Sequence, residues 1–256
     1  MKRISLLVCA TITAIFGSVH PNGAQAAELK MLTSVALTSV LDELAPMFEK
    51  ATGTKLSIDY NLIAVQRKRI LEGESADVII LSRGVMDELQ KQDKIGASGL
   101  VNVAGTPVSV AARAGAPTPD ISTADAFKQT LLNARSIVYA DPARGGASGV
   151  YFARVLDRLG IAEQMYAKTI LVPGAQAAEV VAKGEAELGI AQASEIVPVA
   201  GAQLVGPLPG EFASMTRFTA GIGAGSKSPD LAKELIKFLA GPEAVGRFKA
   251  KGFEPG

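Results

Sequence analysis

The residues best suited to chemistry sit in one short run, Asp141-Pro142-Ala143-Arg144-Gly145-Gly146-Ala147-Ser148-Gly149. A guanidinium such as that of Arg144 forks onto a carboxylate or another planar oxyanion through parallel N–H donors. Glycines at 145, 146 and 149 permit a close backbone approach, and Ser148 stands where a helix N-cap belongs. The first N–H groups of a helix have no intrahelical acceptor, so a turn of this kind suits an anion. The same residues also suit a plain capped turn with a solvated arginine, so the turn alone assigns no site.

A strand and a helix must hold that run. Ile137, Val138 and Tyr139 favour β structure, and Phe152, Val155, Leu156 and Leu159 recur at helical spacing. The mature chain repeats the rhythm. Strands are predicted at 28–32, 55–60, 77–82, from 103 through T-P-V-S-V-A-A-R, and at 169–172, 188–192, 203–205 and 216–224. Between them fall helices at 37–52, kinked at Pro46, and at 65–72, 85–92, 123–134 and 177–183. Ser228-Pro229 opens a further helix, and Gly241-Pro242 the last. Segments 77–82 and their like are almost wholly apolar, which fits sheets covered by helices on both faces. The fold class is therefore α/β, with mostly parallel sheets flanked by helices. If the first strands form one sheet, the chain leaves it near Thr106, builds a second lobe and returns near Phe212. The ligand cleft then lies between the lobes, at the carboxyl ends of the strands.

Composition removes several functions. Lys2-Arg3, an apolar run over 4–19 and Ala24-Gln25-Ala26 have the form of a secretory signal peptide cleaved after residue 26, so the protein is expected in the periplasm. The only cysteine, Cys9, and the only histidine, His20, leave with it. No mature disulfide, histidine triad or histidine metal site is then available. The first 26 residues carry two of the 26 Lys and Arg and none of the 25 Asp and Glu, leaving the mature net charge at −1. That balance argues against nucleic acid as a partner. No metal, no cofactor and a monomeric state are expected.

Five segments in order, L-T-S-V-A-L-T-S-V-L, G-E-S-A-D-V-I-I-L-S, D-P-A-R-G-G-A-S-G, A-E-L-G-I-A-Q and F-L-A-G-P-E-A-V-G-R-F-K-A-K-G-F, resemble periplasmic molybdate-binding proteins of ABC importers over the whole mature chain. The resemblance implies a two-lobed type II periplasmic binding protein fold, with lobe I at 27–106 plus 213–256 and lobe II at 107–212. It also implies a small anionic ligand and a membrane transporter component as partner. Family members hold their oxyanion with two serines and a tyrosine. Those positions correspond here to Ala36, with Thr33 and Ser34 before it, to the stretch Leu62-Ile63-Ala64, and to Gln192. Arginines stand in their place: Arg67 and Arg69 in Q-R-K-R, and Arg144 in the turn. The expected ligand-binding set is Thr33, Ser34, Arg67, Arg144, Ser148, Gly149 and Gln192.

Guanidinium groups suit planar carboxylates, so the ligand is expected to be a small (poly)carboxylate rather than molybdate. The alternative is an enzyme: periplasmic aconitate isomerases resemble the same family over their whole length and work without a cofactor. An allylic proton shift needs a base, and without histidine it must be a carboxylate, lysine or tyrosine at the cleft. Glu195 is one candidate, although an acid at a helix start has an ordinary structural role. Mass spectrometry of exported protein is expected to find Ala27 at the N-terminus, with neither a thiol nor a lipid adduct; a retained Cys9 refutes this.

Overall fold

The computed structural model describes residues 27–256. The expected signal segment, with Cys9 and His20, lies outside the described residues. In chain order the elements are β1 (Glu28–Ser34), α1 (Thr38–Thr52), β2 (Lys55–Asn61), α2 (Ile63–Leu71), β3 (Val78–Ser82), α3 (Arg83–Lys91) and β4 (Val101–Arg113). There follow α4 (Ala124–Asn133), β5 (Ile137–Ala140), α5 (Ala147–Leu159), α6 (Ala162–Tyr166), β6 (Thr169–Val172), α7 (Ala177–Lys183), β7 (Leu188–Gln192) and α8 (Ala193–Ile196). The chain ends with β8 (Ala202–Pro207), β9 (Met215–Ile222), α9 (Pro229–Leu239), α10 (Pro242–Ala250) and β10 (Glu254–Pro255).

Local sequence accounts for most boundaries. In α1 the stripe Val40, Leu41, Leu44 and Phe48 is buried, and Gly53 closes the helix in the left-handed region at φ 72°. The helix runs through Pro46 without a break. In α5 the stripe Phe152, Val155, Leu156 and Leu159 is buried, and Gly160 ends it at φ 67°. Ser148 is not the N-cap of α5. Gly146 takes that position without a side-chain bond, and Ser148 lies one turn position inside the helix.

Strands β2, β1 and β3 pair in parallel, and β9 adds antiparallel to β3. Strands β6, β5 and β7 form a second parallel set. Each sheet is thus parallel at its centre but mixed overall, because β4 enters both in the antiparallel sense. Its first half pairs with β9 as far as Pro107↔Met215, and its second half pairs with β7 from Val108↔Gln192 onward. β8 pairs with the second half and β10 with Ala104 and Gly105 in the first.

The apolar core divides at the same place. One pair of buried clusters draws on residues 29–104 and 218–253, the other on residues 108–212. Two lobes therefore share one continuous strand, which changes partners between Pro107 and Val108.

The β5–α5 turn shows how tightly the site is framed. A Cβ added at Gly149 would stand 1.9 Å from the Ala140 carbonyl oxygen, so only glycine lets α5 begin this close to the strand. Gly149→Ala is expected to lower unfolding free energy by about 3 kcal/mol in urea titration, as overpacking against backbone does; an unchanged midpoint refutes this.

Candidate functional site

The carboxyl ends of β1, β2, β5, β6 and β7 converge between the lobes. From lobe I come the Ser34–Ala36 turn and the start of α2 at Leu62 and Ile63. From lobe II come Ala140, Gly146, Ala147, Ser148, the loop residues Gly174 and Ala175, and the pair Gln192 and Glu195. Together they enclose an inner cavity of about 20 Å³, room for little more than a water molecule. A wider cleft of about 710 Å³ adjoins it, lined by Val35, Thr38, Asn61, Leu62, Val65, Arg144 and the loop Pro173–Gln176. The lobes touch where the arginine turn meets α2: a Cβ at Gly145, whose φ is +79°, would lie 2.7 Å from the Ala64 methyl.

Three side chains expected from sequence line the inner cavity. Ser34 is nearly fully buried, and its Oγ accepts from the Ala36 N–H at 3.3 Å, while its hydroxyl proton has no acceptor among the described residues. Ser148 is buried at the first turn of α5, where the backbone N–H groups lack i−4 carbonyls. Gln192 is buried at the start of α8, and its Oε1 has no hydrogen-bond partner. The Gln192 side chain approaches the Glu195 N–H in the manner of a capping box, but the contact falls short of a hydrogen bond. A buried amide oxygen without a partner carries a desolvation cost that a ligand can relieve.

The other four expected residues differ in placement. Arg144 is exposed and lines the wider cleft rather than the inner cavity, and no carboxylate of the described residues pairs with it. Gly149 acts through space, by admitting α5 against Ala140. Thr33 corrects the expectation of a ligand hydroxyl: it is fully buried, and its Oγ1 donates to the Ile80 carbonyl at 3.1 Å, inside the sheet. Arg67 is likewise corrected. Its guanidinium is paired through two nitrogens with Glu88 on the lobe I surface, and it lines neither cavity. Arg69 is engaged by Asp59 and Glu74. An i, i+2 spacing on a helix points two side chains to different faces, and each found an acid of its own.

Glu195 is the residue whose importance the sequence understated. As a residue it keeps some accessible surface, but its carboxyl is enclosed at the cavity wall. Burial pushes that carboxyl up to about 7, opposed by one hydrogen bond from the Gln192 N–H at 3.1 Å. Among the described residues, no other ionisable side chain lines the inner cavity. A carboxyl poised near neutrality can both accept and return a proton. The loop that brings Pro173 to the wider cleft and Gly174 and Ala175 to both cavities was also missed, although a Pro-Gly pair between a strand and a helix is a signal for it.

A sequence profile described as bacterial extracellular solute-binding protein matches residues 29–254. The chain is 34% identical to an aconitate isomerase from Pseudomonas sp over 233 residues, spanning 89% of this chain and 87% of the relative. It is 27% identical to the molybdate-binding protein ModA of Azotobacter vinelandii over 262 residues, spanning 98% and 99%. The solved periplasmic molybdate-binding protein from Azotobacter vinelandii superposes with a TM-score of 0.71 at 21% identity, over 88% of this chain and 98% of that one. That likeness establishes the two-lobed type II binding-protein fold.

The raised carboxyl has a measurable consequence. Its ordinary value is 4.5, so the native state binds this proton more tightly than the unfolded chain. The associated stability is complete below about pH 4.5 and is lost as pH rises through about 7. The full effect is about 3 kcal/mol at most. Subtracting the pH–stability curve of Glu195→Gln from that of the wild type is expected to isolate this fall. A flat difference curve between pH 4.5 and 8 refutes the assignment.

Proposed function

The chain belongs to the bacterial extracellular solute-binding protein family, and we propose that it uses the family's cleft for catalysis, as a cofactor-independent isomerase of a small unsaturated polycarboxylate of the aconitate kind. The observation that carries this reading is the placement of Glu195, whose carboxyl is the single ionisable group, among the described residues, at the wall of the interlobe cavity, where burial raises its proton affinity. In its ionised form it takes a proton from the methylene carbon of the substrate. The electron pair left behind spreads over the allylic system and its carboxylates, and the new carboxylic acid delivers the proton to the far carbon. One proton leaves and one returns, the double bond moves, and the cis and trans forms interconvert.

The wider cleft has room for an elongated substrate, and the inner cavity, which holds little more than a water molecule as it stands, admits a reacting carbon only once the lobes part. A compact tetrahedral dianion needs a closed ring of donors, and Ala36 and Ile63 offer no side-chain donor. A tricarboxylate can instead insert its reacting end beside Glu195 and leave a carboxylate in the wider cleft for Arg144. Entry requires the lobes, 27–106 with 213–256 and 107–212, to part about the crossing strands. The 34% identity to an aconitate isomerase supports the same substrate class. We place the protein in the periplasm, where family members act.

A second reading is a binding protein that delivers a small carboxylate to an ABC importer, and the likeness to molybdate-binding proteins supports it. Incubation with cis-aconitate in D₂O separates the two. Proton NMR is expected to show conversion to trans-aconitate, with deuterium entering the new methylene only as far as the Glu195 acid exchanges with solvent before it returns the proton, and with the rate reduced by about 10²-fold or more in Glu195→Gln. Arg144→Ala is expected to weaken carboxylate binding by ~1.5–3 kcal/mol, the range of a charge-assisted hydrogen bond. Aconitate that stabilises the protein but returns unchanged favours the binder. Tight molybdate binding without any response to carboxylates overturns both readings.

A further inference from the structure

We propose that Thr106 is a positioning residue for Glu195, tying the first turn of α8 across the lobe boundary to the turn at Gly252. Thr106 is fully buried and lies two residues before the point where β4 exchanges β9 for β7. Its hydroxyl donates to the Gly252 carbonyl at 3.3 Å and accepts from the Ser194 N–H at 3.1 Å. A hydroxyl has one proton, so the bond to Gly252 turns a lone pair toward Ser194. That N–H belongs to the first turn of α8 and has no i−4 carbonyl, so its partner must come from elsewhere in the fold.

Two further contacts hold the same turn. Gln192, which precedes α8 directly, is paired with Val108. Gly252, at φ +82°, approaches so closely that an added Cβ would stand 2.8 Å from the Ala193 carbonyl oxygen. Glu195 sits on this turn and accepts from the Gln192 N–H. Without the Thr106 hydroxyl, the Ser194 N–H loses its acceptor, the turn slackens, and water reaches the carboxyl. Its proton affinity then falls toward that of a solvated acid.

Other charges near α8 are few. Arg144 lines the adjoining cleft, and β4 carries Arg113 at its far end. Lys251 and Glu254 flank the Gly252 turn, with Lys251 paired to Glu43 at 2.6 Å.

The catalytic part of this proposal rests on the isomerase reading; the protonation part does not. Carbon-13 NMR of carboxyl-labelled Glu residues, with the Glu195 signal identified by its loss in Glu195→Gln, follows protonation directly. Thr106→Val is expected to move the Glu195 midpoint down by about one pH unit or more, and Thr106→Ser to restore it. If the valine variant fails to fold, Thr106→Cys, a weaker acceptor, is read in the same way. With aconitate as substrate, kcat is expected to fall on the order of tenfold to a hundredfold with KM little changed, as for a misplaced catalytic group. An unmoved midpoint, or a Ser variant as impaired as Val, overturns the proposal. If the wild type turns over no aconitate, the isomerase reading fails, while the NMR midpoint still decides the role of Thr106.

Discussion

A carboxyl held away from water must find compensation nearby or give up its charge, and in this protein Glu195 does some of each. It accepts one backbone hydrogen bond, from Gln192, and its proton affinity rises. The four-residue helix that carries it cannot supply its own rigidity, since so short a helix has hardly any internal bonds. Rigidity comes from pairing of Val108 with Gln192, from the Thr106 hydroxyl and from the close approach of Gly252. The site therefore depends on β4 passing unbroken from one lobe to the other. That strand is at once the frame of the site and the link about which the lobes are joined.

The cavity walls explain why ligand chemistry can change on a constant fold. Strand ends and helix starts surround the cleft, so backbone N–H groups are present whatever the side chains are. Specificity then falls to a few positions. Ala36 and Ile63 make two of them apolar, Gln192 leaves a buried amide oxygen without a partner, and Glu195 adds a carboxyl whose proton affinity burial raises. Arg144 stands outside the inner cavity, lining the wider cleft without a carboxylate partner among the described residues. Function on this architecture is set by such local chemistry rather than by the fold.

Most of the fold was legible from periodicity. The stripe Val40, Leu41, Leu44 and Phe48 and the stripe Phe152, Val155, Leu156 and Leu159 are both buried as their spacing requires. The site was harder to read. Ser34, Ser148 and Gln192 line the inner cavity, because strand ends and helix starts gather there. Thr33 and Arg67 do not, and neither outcome is visible in sequence. Thr33 alternates inward on its strand to meet Ile80, and Arg67 meets an acid 21 residues away on the neighbouring helix.

Local pattern and composition were enough to read the α/β alternation, the Gly-rich turn at 144–149 and the absence of cysteine and histidine after residue 26. Tertiary structure alone decided that Glu195, an ordinary acid by its position at a helix start, becomes a desolvated group at the cavity wall. Desolvation is a property of everything packed around a side chain. Here the surroundings come from both lobes, from residues as distant in the chain as Ser34 and Ser148.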